Sequence, residues 1–276
     1  MEIITKDNGV RVKGVKDLDL AQTLDCGQSF RWVENDGKFS GVAYGKKLDI
    51  YYDGDDLCLD NTTAEDFENI WKDYLDLELD YGKIRDEISG LHPVLKEACA
   101  YAPGIRILRQ EPWEALCTFI ISQNNNIKRI KGIVERLCES FGEKTDDYYT
   151  FPSAERLAEL SPDDLAPIRA GFRNKYIIDA AKKVSGGEVE LEKCRTLEYE
   201  KARAELMKIK GVGVKVADCT LLFGLHRVEA FPVDVWMKRA MEKLFPDMTE
   251  NDFGDYAGIA QQYIFHYSRM HPELFE

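Results

Sequence analysis

Two side chains carry most of the chemical potential of this sequence. Lys215 opens the apolar segment Val214-Lys215-Val216-Ala217, directly after the turn Gly211-Val212-Gly213. A lysine in the first turn of a helix faces the positive end of the macrodipole. That field, with apolar neighbours, is expected to favour the neutral amine, the form that acts as a Schiff-base nucleophile. The plainer reading is a lysine that contacts phosphate, and the residue alone does not choose between them. Asp234, in Pro232-Val233-Asp234-Val235, follows 19 residues later and precedes another helical segment. One helix out and a short loop back would bring it near Lys215. It can cap its helix and still present a carboxylate to a developing positive charge.

The glycine turn matters in its own right. Two glycines one residue apart permit φ > 0 and close approach of a ligand to the backbone. Amides of such a turn, and of the helix that follows, can hold a phosphate oxygen without any cationic side chain. An ordinary helical hairpin also ends its first helix on glycine, so the turn by itself leaves both readings open.

The elements that must position these groups fall into two kinds. Up to about residue 60 the pattern is β-structure, an antiparallel meander with turns at Asp36-Gly37, at 45–47 and at 53–56. From Thr63 onward it is helical. Trp113, Leu116, Cys117, Ile120 and Ile121 form one apolar stripe, and Ile127, Ile130, Val134, Leu137 and Cys138 form the next. Asn124-Asn125-Asn126 breaks the two apart, and Gly142 closes the second. Further helices are expected over 154–160, 175–184, 199–209, 215–225, 235–245 and 257–267. The fold class is α+β, an N-terminal antiparallel sheet domain (1–100) followed by a mostly α-helical body (101–276). The helix–hairpin–helix lies at about 199–225.

The charge of −13 seems to argue against a nucleic-acid partner. Its distribution removes the objection, because residues 53–80 hold 11 acids and one base, leaving −3 elsewhere. That stretch is expected to be a solvated face. Residues 201–240 carry 8 bases against 4 acids. The 7 cysteines are scattered and never in C-x-x-C spacing, which points to a reducing compartment and away from a zinc or iron–sulfur cluster. With no apolar leader or membrane-length run, an intracellular location is expected, cytoplasm and nucleoid or nucleus.

Several separate motifs converge on one family. Cys26-Gly27-Gln28-Ser29-Phe30-Arg31-Trp32, Asn124-Asn125-Asn126-Ile127, Val134-Glu135-Arg136-Leu137-Cys138, the segment from Gly211 to Cys219 and Pro232-Val233-Asp234-Val235 closely resemble the 8-oxoguanine DNA glycosylases of the helix–hairpin–helix superfamily. The likeness covers roughly residues 15–270. It implies a TBP-like sheet domain and a bifunctional enzyme that flips out 8-oxoguanine, excises it opposite cytosine and nicks the strand by β-elimination. Lys215 is implied as nucleophile and Asp234 as the carboxylate that stabilises the oxocarbenium-like transition state. The Gly27 carbonyl would accept from N7–H, which guanine lacks. Gln261 would read the Watson–Crick edge, with Phe265 and Cys219 on the two faces of the base. Asn124 would fill the void, Arg129 and Arg173 would meet the orphaned cytosine, and Phe172 would wedge the stack. Gly211, Gly213 and Val216 would hold phosphate. The resemblance implies double-stranded DNA as partner, a monomer, no required cofactor, and at most a structural monovalent cation on the hairpin carbonyls.

Three positions depart from the family pattern. Trp236 stands where a phosphate-contacting histidine is common, Ser268 replaces an acid near the base pocket, and Phe172 lacks a phenolic hydroxyl. Competing readings are a non-catalytic helix–hairpin–helix DNA-binding module and a related glycosylase for another damaged base. An endonuclease-III-like enzyme would carry a four-cysteine cluster after the aspartate, and no cysteine follows Asp234. An alkylpurine glycosylase would lack the hairpin lysine.

Overall fold

In the computed structural model, which describes residues 1–145 and 147–275, the N-terminal part is a six-stranded antiparallel sheet. Its strands are β1 (Glu2–Lys6), β2 (Gly9–Lys13), β3 (Trp32–Asn35), β4 (Lys38–Ala43), β5 (Lys46–Asp53) and β6 (Asp56–Asp60), in spatial order β1-β2-β6-β5-β4-β3. Strands β3 to β6 are the meander that alternation predicts. The β1–β2 hairpin extends it at the edge of β6, with Val10 opposite Leu59. Asp36 and Gly37 both have positive φ, +51° and +79°, the pair of left-handed residues that a tight hairpin needs. Tyr44 and Gly45 repeat the device, so β5 starts at Lys46, inside the stretch read as turn. Within the β region lies a short helix, Leu20–Leu24, capped by Asp19.

Two apolar cores divide the chain. Val10, Val12, Leu48, Ile50, Leu57 and Leu59 cover Phe67, Trp71 and Tyr74 on one side of the sheet. The second core is helical and already includes Tyr81, Ile84, Ile88, Leu95 and Cys99. The helices from Tyr81 onward thus pack into the helical core, while Phe30 also joins that core and Leu108 the sheet core, so the two cores interlock across the expected boundary near residue 100. The helices Tyr81–Ser89 and Pro93–Tyr101 turn their apolar stripes to the helical body and not to the sheet.

The acidic stretch is not a single solvated face. Asp53 and Asp56 pair with Arg11, Asp60 with Lys38, Asp66 with Lys46, and Glu68 and Glu78 with Lys72. The Asp76 side chain is fully buried against Arg109 and His226. Strand pairing and the turns after β6 bring Asp53, Asp56, Asp60 and Asp66 beside bases from other elements, whereas Glu68 and Glu78 meet Lys72 of the stretch itself. The excess charge is therefore partly neutralised where it arises.

Helices Pro112–Ser122, Ile127–Phe141, Asn174–Ser185, Val214–Leu225, Val235–Leu244 and Ala257–Met270 match the expected segments within a few residues at each end. All seven cysteines are free and buried. Among the described residues no helix is long and apolar enough to cross a membrane, and no group of three or more metal-binding side chains is assembled.

Candidate active site

The hairpin joins helix Tyr199–Leu206 to helix Val214–Leu225. Gly211 has φ +83°, and a Cβ there would stand 2.5 Å from the Tyr176 ring. Both conformation and contact demand glycine. Gly213 caps the second helix without any side-chain hydrogen bond. The first amides of that helix, including that of buried Val216, therefore lack intrahelical partners and can receive an anion. Asp179 accepts from the Lys210 amide at 2.7 Å, and Lys183 Nζ donates to the Lys208 carbonyl at 2.6 Å. These bonds pin the hairpin to helix Asn174–Ser185.

Lys215 lies in the first turn of its helix, and Asp234 is the N-cap of helix Val235–Leu244. Asp234 Oδ1 accepts from the Met237 amide at 2.8 Å. The two side chains border one continuous cleft. Its outer part, about 600 Å³, is also lined by Asn124 and Trp236. A passage of about 340 Å³ follows, past Gly27, Ile127 and Phe265. It ends in an inner pocket of about 50 Å³ lined by Cys219 and Gln261. The inner pocket alone is smaller than the ~150 Å³ cavity that holds one benzene.

The amine of Lys215 has defined partners. Nζ donates to Ser122 Oγ at 3.2 Å and lies 5.2 Å from the Phe119 ring centroid. The Ser122 hydroxyl itself donates to the Phe119 carbonyl at 2.8 Å. Neither Ser122 nor Phe119 is singled out by the sequence pattern, because Phe119 lies off the apolar stripe of its helix and Ser122 at the helix end.

The inner pocket is built from three segments. Gly27 has φ +97° and is followed by buried Gln28, whose amide donates to the Thr23 and Arg106 carbonyls at 2.8 and 2.7 Å. Gln28 Oε1 accepts from the Leu108 amide at 2.9 Å. That clamp fixes the backbone that presents Gly27. Gln261 is buried and its Oε1 has no hydrogen-bond partner, an unmet acceptor of the kind a ligand satisfies. Phe265 is half-buried, with the Arg269 guanidinium 5.4 Å from its ring. Burial pushes the Cys219 thiol up to about 11, with Lys215 pulling the other way, so it is a neutral, polarisable surface at neutral pH. Ser268 lies two turns beyond Gln261, fully buried, and its Oγ is also unpartnered.

The loop before helix Ile127–Phe141, the first turn of that helix and the turn Gly171–Arg173 carry the remaining expected residues. Asn124 is exposed, with φ +47°, and Asn126 is the N-cap, accepting from the Arg129 amide at 3.0 Å. Arg129 and Phe172 are exposed, and the Phe172 ring meets Tyr176 edge-on at 5.9 Å. Arg173 differs from Arg129. It is buried, and its guanidinium donates to the carbonyls of Gln123, Asn124 and Ala170. It thus holds the Asn124 loop in place, with one Nη1 donor left over.

This combination of a sheet, a helical body and a glycine hairpin beside a Lys–Asp cleft is that of a base-excision glycosylase. A family model described as HhH-GPD superfamily base excision DNA repair protein matches residues 117–252. A second, the 8-oxoguanine DNA glycosylase N-terminal domain, matches residues 11–116. The chain is 35% identical to an N-glycosylase/DNA lyase of Saccharomyces cerevisiae, over 82% of this chain and 68% of that one. It is 32% identical to the Arabidopsis thaliana N-glycosylase/DNA lyase OGG1, over 90% and 77%. The structure of a Clostridium acetobutylicum 8-oxoguanine glycosylase/lyase, in complex with DNA containing cytosine opposite 8-oxoguanine, superposes with a TM-score of 0.93. That alignment has 38% identity and covers 99% of each chain. A 3-methyladenine glycosylase from Archaeoglobus fulgidus shares the fold at 17% identity and a TM-score of 0.74. The chain belongs to the 8-oxoguanine DNA glycosylase family.

Proposed function

We propose that this protein removes 8-oxoguanine from duplex DNA, with cytosine opposite, and then nicks the strand at the emptied site. The observation that carries this reading is one cleft bordered by Lys215 and Asp234 and closed by Gly27, Cys219, Gln261 and Phe265. The target nucleotide is extruded at a cost of a few kcal/mol. The Lys215 amine attacks C1′, and the C1′–N9 bond breaks with its electron pair leaving on the base, which then takes up a proton. The Asp234 carboxylate stabilises the positive charge that develops on the sugar. The C1′–O4′ bond then breaks, O4′ takes up the proton that Nζ gives up, and a Schiff base forms between Nζ and C1′. Removal of a C2′ proton then expels the 3′ phosphate.

Selectivity rests on one hydrogen. The Gly27 carbonyl accepts N7–H from 8-oxoguanine, whereas guanine would set two acceptors against each other. The Gln261 amide takes the Watson–Crick edge, and Phe265 and the Cys219 thiol take the two faces. Asn124 fills the gap in the duplex, Phe172 wedges the stack, and Arg129, with the remaining Arg173 donor, meets cytosine. Amides at Gly211, Gly213 and Val216 hold a phosphate.

None of these steps calls on a cofactor. The Ile209 and Gly213 carbonyls accept from the Val212 and Ala217 amides and keep a second lone pair each, open to a structural monovalent cation. The protein is proposed to act as a monomer inside the cell.

Borohydride reduction of the mixture with an 8-oxoguanine:cytosine duplex tests this. A covalent adduct is expected with the wild type and none with Lys215→Gln; no adduct with the wild type overturns the lyase reading. Arg129→Ala is expected to relax discrimination among opposite bases.

A further inference from the structure

One aromatic group reaches the mouth of the cleft with support from a segment that has no role in the scheme above. Trp236 lies in the first turn of helix Val235–Leu244, half-buried, and its indole lines both the outer cleft and the passage beyond. The Phe275 ring packs edge-on against it, with centroids 6.2 Å apart and planes at 72°. The Arg239 guanidinium lies against both, 5.6 Å from the Trp236 centroid and 5.1 Å from that of Phe275. Arg239 is one turn further along the same helix, whereas Phe275 comes from the turn Pro272–Phe275 that follows helix Ala257–Met270. The start of that turn is itself anchored. The His271 ring sits 4.4 Å from Tyr267 and 4.8 Å from Tyr101, and its Nδ1 lies 2.8 Å from Glu273 Oε1.

We infer that Phe275 is a positioning residue for the glycosylase reaction: with Arg239 it holds the Trp236 indole at the mouth, as a wall that the flipped nucleotide contacts. The inference rests on the reading of the cleft as the site of a flipped nucleotide. An indole offers a flat apolar face and one N–H donor, the combination suited to a sugar and base moving from water into a pocket. Left alone, a half-exposed ring would have to be ordered each time DNA binds. Packing by Phe275 and a cation–π contact from Arg239 order it beforehand, so less is lost on binding. The Phe275 ring is remote in sequence from Lys215 and Asp234 and acts on the nucleotide only through Trp236.

The geometry also supplies the reporter. Of the four tryptophans, Trp32 and Trp71 are buried, and Trp113 is tied to the Pro152 carbonyl at 2.9 Å. Trp236 is the one that borders the cleft. Indole fluorescence is followed while the protein is titrated with a cytosine-containing duplex bearing a tetrahydrofuran abasic analogue. The change in emission is expected to be lost in Trp236→Phe. In steady-state excision of 8-oxoguanine, Phe275→Ala is expected to raise KM about tenfold, the scale of one stacking contact, and to change KM more than kcat. Phe275→Tyr is expected to restore it. A wild-type KM in Phe275→Ala, or an emission change that survives in Trp236→Phe, overturns the inference. Adduct formation by the wild type under borohydride, run in parallel, separates that outcome from failure of the glycosylase reading itself.

Discussion

His226 Nε2 lies 3.0 Å from Asp76 Oδ2, across 150 residues of sequence. His226 is the left-handed C-cap of the helix that carries Lys215 in its first turn, and Asp76 belongs to the segment that closes the sheet domain. The same carboxylate accepts from Tyr81 at 2.8 Å and from Arg109 Nε and Nη2 at 2.9 and 2.8 Å. One buried acid thus ties the Lys215 helix to the N-terminal domain.

Asp76→Asn is expected to cost about 3 kcal/mol, because Arg109 loses a buried counter-charge and His226 a carboxylate partner. Burial alone would raise the Asp76 pKa, yet His226, Arg109 and Tyr81 hold it below the free carboxyl value. A group with a lower pKa folded than unfolded contributes stability above its unfolded value and loses it as pH falls through the folded one. The gap between wild type and Asp76→Asn should be full near neutrality and narrow below about pH 4. Urea midpoints at neutral and acid pH measure it; a gap independent of pH would exclude the carboxylate as its source.

Glu114 has the opposite sign. Burial raises its pKa to about 7, although Arg31, 3.7 Å away, pulls it down. A carboxyl with a raised folded pKa contributes stability fully below its unfolded value and loses it as pH rises through the folded one. Glu114→Gln should therefore match the wild type near pH 4 and exceed it near pH 8. The shift sets an upper limit of about 3 kcal/mol. Thermal unfolding at the two pH values decides, and equal Tm differences at both would count against it.

Gly27→Ala is expected to abolish excision of 8-oxoguanine. Its φ of +97° is costly for any side chain, and the new Cβ would stand 3.1 Å from Ile127 Cδ1 at the passage. Binding to a tetrahydrofuran-site duplex, which presents no base, should fall by less than the excision rate. Equal losses in both would mean that the substitution disturbs the loop as a whole.

Much of this was readable beforehand, for local reasons. Asp36-Gly37 announces its hairpin, the apolar stripes of 113–121 and 127–138 announce their helices, and Gly211 is required by its own backbone. Lys215 and Asp234 can be paired because a single helix and a short loop separate them. Other relations depend on packing between distant segments and leave no local trace. The unmet Gln261 acceptor exists only because the helix Ala257–Met270 is buried against the Gly27 segment. Arg173 looks like a surface arginine until the fold turns it onto the Gln123 and Asn124 carbonyls. Asp76 reads as one more acid in an acidic run, since Arg109 and His226 lie 33 and 150 residues away.

Ser122 belongs to that second group, and the reaction should depend on it. Its hydroxyl proton is committed to the Phe119 carbonyl, so only oxygen lone pairs face the Lys215 amine. Together with the Phe119 ring below, they hold Nζ at one place in the cleft before DNA arrives. Ser122→Ala leaves the ring contact alone, and the four-carbon stem regains its rotamer freedom. Misplacing a nucleophile by about an ångström costs up to ~100-fold in rate, and partial loss of order should cost about tenfold. Borohydride trapping at saturating 8-oxoguanine duplex is expected to slow by that factor, with affinity for the tetrahydrofuran duplex unchanged. Ser122→Thr keeps the hydroxyl and should keep the rate. Trapping at the wild-type rate in Ser122→Ala would mean that the Phe119 ring and the helix terminus suffice to place the amine.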